Sequence, residues 1–403
     1  LADNKKDEDK HSGIDANDLL ELLAKFQHLE LHDFEMSASN LELRFEPGVP
    51  MQMMPQVKLP VPTKPTALLQ QTFTPPVEKY SGQIAEVKLG ATKGEGGSRG
   101  RSVTIGGEKA PPFYTFESPV IHKPIVTLDV FDMAVPLSKA VKMHVKEVIG
   151  DPAAWAKLAV EKFGADMVTI HLISIDPLLK DASPKEAIKT IENVMQAVDV
   201  PLVIGGCGDP VKDAALFEEV APTFSGERFL FSSFTRDMNI EKIAKLAKQN
   251  NHAVLSFTPM DLNMAREQNR KLYDYFSKED IVMDLSTAAL GYGLDYAFTN
   301  MERARLAGLL GDGELAHPMS SGTTNAWAAR EAWLKMDEKW EPRELRGPLW
   351  EVNTALTLLL AGVDLFMMIH PAAVKTLKDV INNLSSGKKA DPSKYLDWVT
   401  AKA

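Results

Sequence analysis

Residues 281–333, IVMDLSTAALGYGLDYAFTNMERARLAGLLGDGELAHPMSSGTTNAWAAREAW, decide the fold class. The apolar run Ile281–Leu285 ends in small polar residues at Ser286 and Thr287, and Gly291-Tyr292-Gly293 then opens a helix. Leu294, Phe298, Met301, Ala304, Ala307 and Leu310 recur at steps of three and four, so one face of that helix is apolar. Gly311 and Gly313 end it, because glycine reaches left-handed dihedrals without a Cβ clash. The unit then repeats as a short run to Ser320, a turn through Gly322 and a predicted helix carrying Trp327 and Trp333. Strand–loop–helix units in series predict a parallel sheet whose function lies on the loops at the strands' C-terminal ends.

Working outward, apolar strand-like runs fall at 125–133, 165–175, 200–208, 228–234, 252–259, 281–287, 315–321 and 364–370, with the seventh short and containing Pro318. Helical stretches separate them, as at Pro184–Val198, and a last helix over Ala372–Leu384 can close the ring. Eight strands, each followed by a helix, predict an α/β fold, a (β/α)8 TIM barrel over residues 119–403. Ahead of it, residues 79–118 read as a β-hairpin lead-in, with alternating runs Ile84–Leu89 and Arg101–Ile105 around a Gly-rich turn. That turn lacks the GxGxxG spacing and the Gly-Lys-Ser/Thr of a phosphate cradle. Residues 1–78 form an N-terminal extension: a helix over 17–34 capped by Asp15 or Asn17, an alternating run 41–45, and a Pro-rich tether 47–76. His28, His32 and Glu35 share a metal-ligand spacing on that helix, but a solvated charged face explains them better.

Composition narrows the function. A net charge of −10 argues against a nucleic-acid footprint or an anionic membrane surface. The single cysteine, Cys207, excludes an internal disulfide and leaves too few thiolates for an iron–sulfur cluster on this chain. No stretch of membrane-spanning length is apolar enough, the leader LADNKKDEDKHSG is not signal-like, and the expectation is a cytoplasmic protein. The start at Leu1 without Met suggests a processed or truncated product.

Read at the strand ends, the barrel mouth collects Asp129, Asp132, Ser174, Asp176, Gly205–Gly208, Asp209, Ser232, Ser233, Thr235, Thr258, Asp261, Ser286, Thr287, Ser320–Asn325 and His370. It is a rim of small and hydroxyl-bearing residues with few acid–base candidates and no basic clamp. No HExxH or GxSxG motif occurs, and Cys207 has no nucleophile signature. Gly206–Gly208 suits either close approach of a ligand or a tight turn. His171 and His252 read as buried strand histidines, His370 as either ligand or cap, and Asp129, Asp176 and Asp261 as either ligand-positioning or helix-capping. The residues alone predict a barrel with a ligand-sized mouth and no evident catalytic machinery.

LGYGLDYAFTNMERARLAGLLGD (290–312) resembles the signature of the corrinoid iron–sulfur protein small subunit, the delta subunit of the CO dehydrogenase/acetyl-CoA synthase (acetyl-CoA decarbonylase/synthase) complex. LGATKGEGGSRGRSVTIGGEKAPPFYTFE (89–117), KPIVTLDVFD (123–132), VPLVIGGCGDPVKD (200–213), AWAAREAW (326–333) and RGPLWEVNTALTLLLAGVDLFMMIHP (346–371) are similar to that family in the same order. Ala288-Ala289 replaces glycines common before the Gly-Tyr-Gly motif, and SSGTTNAW (320–327) looks like the archaeal form. The resemblance implies a TIM barrel that pairs with a large (gamma) subunit, which carries the [4Fe–4S] cluster. A corrinoid (cobamide) is then shared at the interface and faces this barrel's mouth. It also implies methyl transfer between a methyl-tetrahydropterin and the acetyl-CoA synthase metal cluster, within a larger assembly containing CO dehydrogenase. On this reading no residue of this chain is catalytic or binds metal, and Thr287, Gly291, Tyr292, Ser320, Ser321, Thr323, Thr324 and Asn325 are the corrinoid-facing candidates. Two other readings stand beside it. One is an independent pterin-binding methyltransferase barrel, gripping the ring through Asp129, Asp209, Asp261 and Asn263; the other is a mainly structural assembly subunit.

Overall fold

Ile281–Asp284 is a strand buried at all four positions. The other predicted barrel runs likewise become short strands that close on themselves. The computed structural model describes residues 78–114 and 120–387. An antiparallel pair, β1 (Glu86–Leu89) and β2 (Val103–Gly106), comes first. The barrel follows: β3 (Ile125–Phe131), β4 (Met167–His171), β5 (Leu202–Gly205), β6 (Leu230–Phe234), β7 (Ala253–Phe257), β8 (Ile281–Asp284), β9 (Met319–Gly322) and β10 (Val363–Met368). Their order is β10-β3-β4-β5-β6-β7-β8-β9, closed, with every neighbour parallel. The strands are near-continuously apolar because a parallel barrel is covered on both faces. The predicted helix 17–34, the run 41–45, the tether 47–76 and the His28/His32/Glu35 set lie outside the described residues.

The outer ring comprises α1 (Lys139–Val145), α2 (Pro152–Glu161), α3 (Pro184–Ala197), α4 (Pro210–Thr223), α5 (Ile240–Gln249), α6 (Leu262–Leu272), α7 (Leu294–Leu309), α8 (Arg343–Ala361) and α9 (Pro371–Ser385). One local device recurs. A capping residue at Asp151, Ser183, Asp209 or His370 is followed by Pro at the first helical position, where the missing N–H costs nothing and φ is already helical. The starts at Ser183, Asp209 and His370 lie just beyond a strand or its loop, so the chain turns back off the barrel there; the one at Asp151 follows α1.

Inside the barrel, Met167, Val203, Leu230, Leu255, Val282, Leu365 and Met367 pack into one cluster with Val87, Leu89 and Ile105 of the antiparallel pair. The lead-in therefore plugs the N-terminal end of the barrel, tied there by Ala85 N–H to Ala316 O (2.9 Å) and Gly90 N–H to Arg228 O (2.9 Å).

Two local expectations change. The predicted helix with Trp327 and Trp333 is instead a run of short 3-10 turns, Thr323–Ala328, Arg330–Ala332 and Glu338–Trp340. Arg346 from α8 satisfies the carbonyls this path leaves open, donating to those of Glu331, Leu334 and Trp340. A side chain thus substitutes for the helical ladder. Leu310, expected on the apolar face of α7, is 68% exposed, because α7 ends at Leu309 and Leu310 is its cap.

Candidate functional site

The mouth is built on the last residues of the barrel strands. Asp129 of β3 is 2% exposed. Its Oδ2 accepts from Thr324 Oγ1 at 2.5 Å, and its Oδ1 lies 3.1 Å from His171 Nε2 of β4 without hydrogen-bond alignment. Burial alone would lower the His171 pKa, but the Asp129 carboxylate and then Asp132 outweigh it and hold it above the usual imidazole value. Phe131 stacks on the His171 ring at 5.1 Å. Asp132 in turn accepts from Ser174 N–H (3.1 Å) and Ser174 Oγ (2.5 Å), and burial keeps its carboxyl above the usual range despite those bonds.

Across the mouth, hydroxyls form a connected chain. Thr287 Oγ1 and Ser321 Oγ are 2.9 Å apart, Ser321 Oγ and Thr323 Oγ1 are 2.9 Å apart, and Asn325 Nδ2 donates to Thr287 O at 3.1 Å. Ser320 Oγ donates to Asp284 Oδ2 at 3.3 Å, and burial pushes the Asp284 carboxyl up to about 6. The structure therefore brings Thr287, Ser321, Thr323 and Asn325 together, sets Ser320 on Asp284, and sets Thr324 on Asp129. Ser320, Ser321, Thr323 and Thr287 are buried below the rim, Thr324 is half-buried, and Gly291, Tyr292 and Asn325 are exposed on it. Gly291 and Tyr292 are joined to none of the other candidates by the hydrogen bonds above. They lead into Gly293, whose φ of +91° opens α7.

Several open alternatives close. Gly206 belongs to a tight turn, because a Cβ there would lie 2.0 Å from Asp213 Oδ1, which accepts from Cys207 N–H (2.8 Å). Burial pushes the Cys207 thiol up to about 11, which removes it as a nucleophile at neutral pH. Asp209 and Asp261 are helix caps, accepting from Val211 and Lys212 N–H and from Asn263 and Met264 N–H. His252 is structural, held between Phe229 N–H and Ala221 O. His370 caps α9 through Nδ1, accepting from Ala372 N–H at 3.2 Å.

Strand-end reading missed one group, Glu351 of α8. It is wholly buried and accepts from Ile369 N–H (2.7 Å), His370 N–H (3.1 Å) and Trp327 Nε1 (3.1 Å). Burial pushes its carboxyl up to about 8. A signal was present: Glu351 is a lone acid in helical register with Ala355 and Leu358. Glu351 fixes Trp327, whose ring also stacks on His370 at 5.9 Å. Trp327 and Trp333 then wall a cavity of about 550 Å³ with Phe131, Val135, Leu137 and Ile369, in which Ser138 and Thr324 are the hydroxyls. Among the described residues, no three His, Cys, Asp or Glu side chains converge as metal ligands, and no helix is long and apolar enough to cross a membrane.

Exposed large apolar side chains occur on segments that follow the strands, among them Leu178, Val211, Met260 and Tyr292, and also at the other end of the barrel, as at Ile121, Leu310 and Leu384.

A sequence model of the CO dehydrogenase/acetyl-CoA synthase delta subunit matches residues 86–337. The acetyl-CoA decarbonylase/synthase complex subunit delta of Archaeoglobus fulgidus is 51% identical over 360 residues, 87% of this chain and 79% of that protein. Subunit delta 1 of Methanosarcina thermophila is 51% identical over 332 residues, 81% and 76%. Subunit delta of Methanocaldococcus jannaschii is 44% identical over 399 residues, 96% and 97%. Among solved structures, the chain is similar to the dihydropteroate synthase of Yersinia pestis (TM-score 0.47, 16% identity, 66% of this chain and 95% of that one). The corresponding values for the Xanthomonas albilineans enzyme are 0.45, 15%, 66% and 94%.

Proposed function

The chain belongs to the delta-subunit family of the CO dehydrogenase/acetyl-CoA synthase, a component of the acetyl-CoA decarbonylase/synthase complex, and on that premise we propose that it pairs with a larger subunit to hold a corrinoid used in methyl transfer. The observation that carries this reading is the mouth itself. It is lined by small and hydroxyl residues joined in a buried hydrogen-bonded chain, with Gly291, Tyr292 and Asn325 exposed at its edge. Such a surface fits a broad, flat, largely apolar ring bearing amide edges, which needs room and hydrogen-bond partners rather than a charged clamp. When bound, a corrinoid supplies a cobalt centre that takes up and releases a methyl group.

This chain's part is to orient and shield. Gly291, Tyr292 and Asn325 would meet the ring edge, with Thr324 beside them. Thr287, Ser320, Ser321 and Thr323 would hold those loops from beneath through the buried hydroxyl chain. Excluding water with apolar walls protects a reactive centre from side reactions. With Cys207 the only cysteine, a [4Fe–4S] cluster belongs on the large subunit. Methyl donor and acceptor are a methyl-tetrahydropterin and the acetyl-CoA synthase metal cluster. Both are reached within the assembled complex, in synthesis or cleavage of acetyl-CoA.

The test is purification of this chain alone and together with its large subunit, each followed by an ultraviolet–visible spectrum. Corrin and iron–sulfur absorption confined to the heterodimer is expected. Asn325→Ala and Thr323→Ala should lower corrin retention severalfold. Corrin retained by this chain alone, or unchanged in both variants, overturns the reading.

A further inference from the structure

We infer that the helical wall of the barrel carries a binding site for a carboxylate, between α6 and α7. The site is a cavity of about 280 Å³ lined by Met260, Asp261, Asn263, Arg266, Asn300 and Arg303. None of the corrinoid-facing candidates lines it.

Three observations carry this. The first is a repeated pattern. Asn263-Met264-Ala265-Arg266 on α6 and Asn300-Met301-Glu302-Arg303 on α7 share the form Asn-Met-x-Arg. Residues three apart share a helix face, so each helix presents one amide and one guanidinium together, and the fold sets the two pairs about one cavity. The second is unspent donors. Asn300 Nδ2 is buried with no hydrogen-bond partner, a state that costs free energy until an acceptor fills it. Arg266 gives Nε to Asp312 (2.7 Å) and Nη1 to Asn263 Oδ1 (3.0 Å), while its Nη2 makes no bond among the described residues. Arg303 is exposed and has no hydrogen bond or ion pair among the described residues. Planar guanidinium and amide N–H groups match the acceptor-only oxygens of a carboxylate. The third is charge. Asp312 balances Arg266, so Arg303 is the lining cation left to meet an anion. The Asp261 carboxylate, which caps α6, lines the same cavity and opposes a second negative charge. A single carboxylate suits this balance better than a phosphate dianion. The volume also lies just below the range of about 300–1,000 Å³ of sites for larger ligands, so the bound group is small.

The experiment is a saturation-transfer NMR titration of the full-length chain with acetate at constant ionic strength. Acetamide is the uncharged probe of the same shape. Saturable acetate binding is expected, with acetamide about tenfold weaker or worse, as for a lost charge-assisted hydrogen bond. Arg303→Gln, an exposed position, should weaken acetate about tenfold and leave acetamide unchanged. Asn300→Asp should abolish acetate binding by placing a second anion in the cavity. No saturable acetate binding, equal affinity for acetate and acetamide, or indifference to Arg303→Gln overturns the inference. Displacement of acetate by an equal concentration of phosphate overturns it too. Repeating the titration on the complex with the large subunit separates the two sources of a carboxylate. Acetate binding lost there assigns the site to an acidic side chain of the partner; binding retained assigns it to a free small acid. The primary titration uses neither corrinoid nor large subunit, so it and the heterodimer spectrum are read independently.

Discussion

Glu351 shows how much one buried side chain decides at this mouth. Its two oxygens accept three N–H bonds that join α8 to the end of β10 and to Trp327. Burial outweighs those bonds and raises its pKa to about 8, so the folded protein holds a proton that the unfolded chain releases near the ordinary carboxylate range. Between those two values the unfolded state binds fewer protons, and stability falls as pH rises, flattening above about pH 8. The expected slope is up to about 1.4 kcal/mol per pH unit. Glu351→Gln should remove that contribution in urea unfolding measured between about pH 6, above which Asp284 contributes little, and about pH 8. A variant with the same slope as the parent would place the titration elsewhere. Trp fluorescence should change with the titration in the parent only, because Trp327 hydrogen-bonds to this carboxyl.

Among the elements, α7 and its one buried cation are the clearest case. Arg305 is 2% exposed and lies between Glu108 (2.7 Å) and Asp364 (2.5 Å), and it also donates to Gly362 O. It ties the segment after β2, the helix α7 and the strand β10 together at the barrel's closed end. Asp364 also accepts from Met319 N–H of β9 at 2.8 Å. Removing only the cation leaves two carboxylates facing each other out of water, so Arg305→Met should cost about 3–5 kcal/mol in urea unfolding. Adding Asp364→Leu should recover part of that loss, since a buried pair replaced by apolar groups is often neutral. A double variant no better than the single would mean that the Met319 bond, not the charge, carries the strand.

At the scale of the molecule, the two ends of the barrel differ in kind. One is plugged by the antiparallel lead-in and sealed by buried ion pairs; the other is open and hydroxyl-lined. Trp340 (52% exposed) and Leu345 (65%) lie on the segment after β9, away from the core clusters. Replacing both by Ser should change the stability of this chain by no more than about 0.5 kcal/mol per site, as surface substitutions do. In the pairing proposed above, the same change should weaken association with the large subunit about tenfold or more, followed by light scattering across a dilution series. Unchanged association would move the interface to another face.

Fold class and strand count were legible because each strand of a parallel barrel is a short apolar run and each helix a 3.6-residue pattern, both local in sequence. The helix start at Pro184 was equally legible, and the helix begins there behind the cap Ser183. Family membership was carried by motifs in fixed order, which need no coordinates. Tertiary structure alone decided the state of the 3-10 segment after β9, since Arg346, reaching in from a later helix, satisfies its carbonyls. It alone separated Asp129 from Asp209 and Asp261: all three sit at strand ends in sequence, but only the folded chain shows which carboxylates cap a helix and which faces His171 and Thr324. The reason is range. Periodicity and capping act over a few residues, whereas the partners of Asp129, Glu351 and Arg305 come from segments tens to hundreds of residues away.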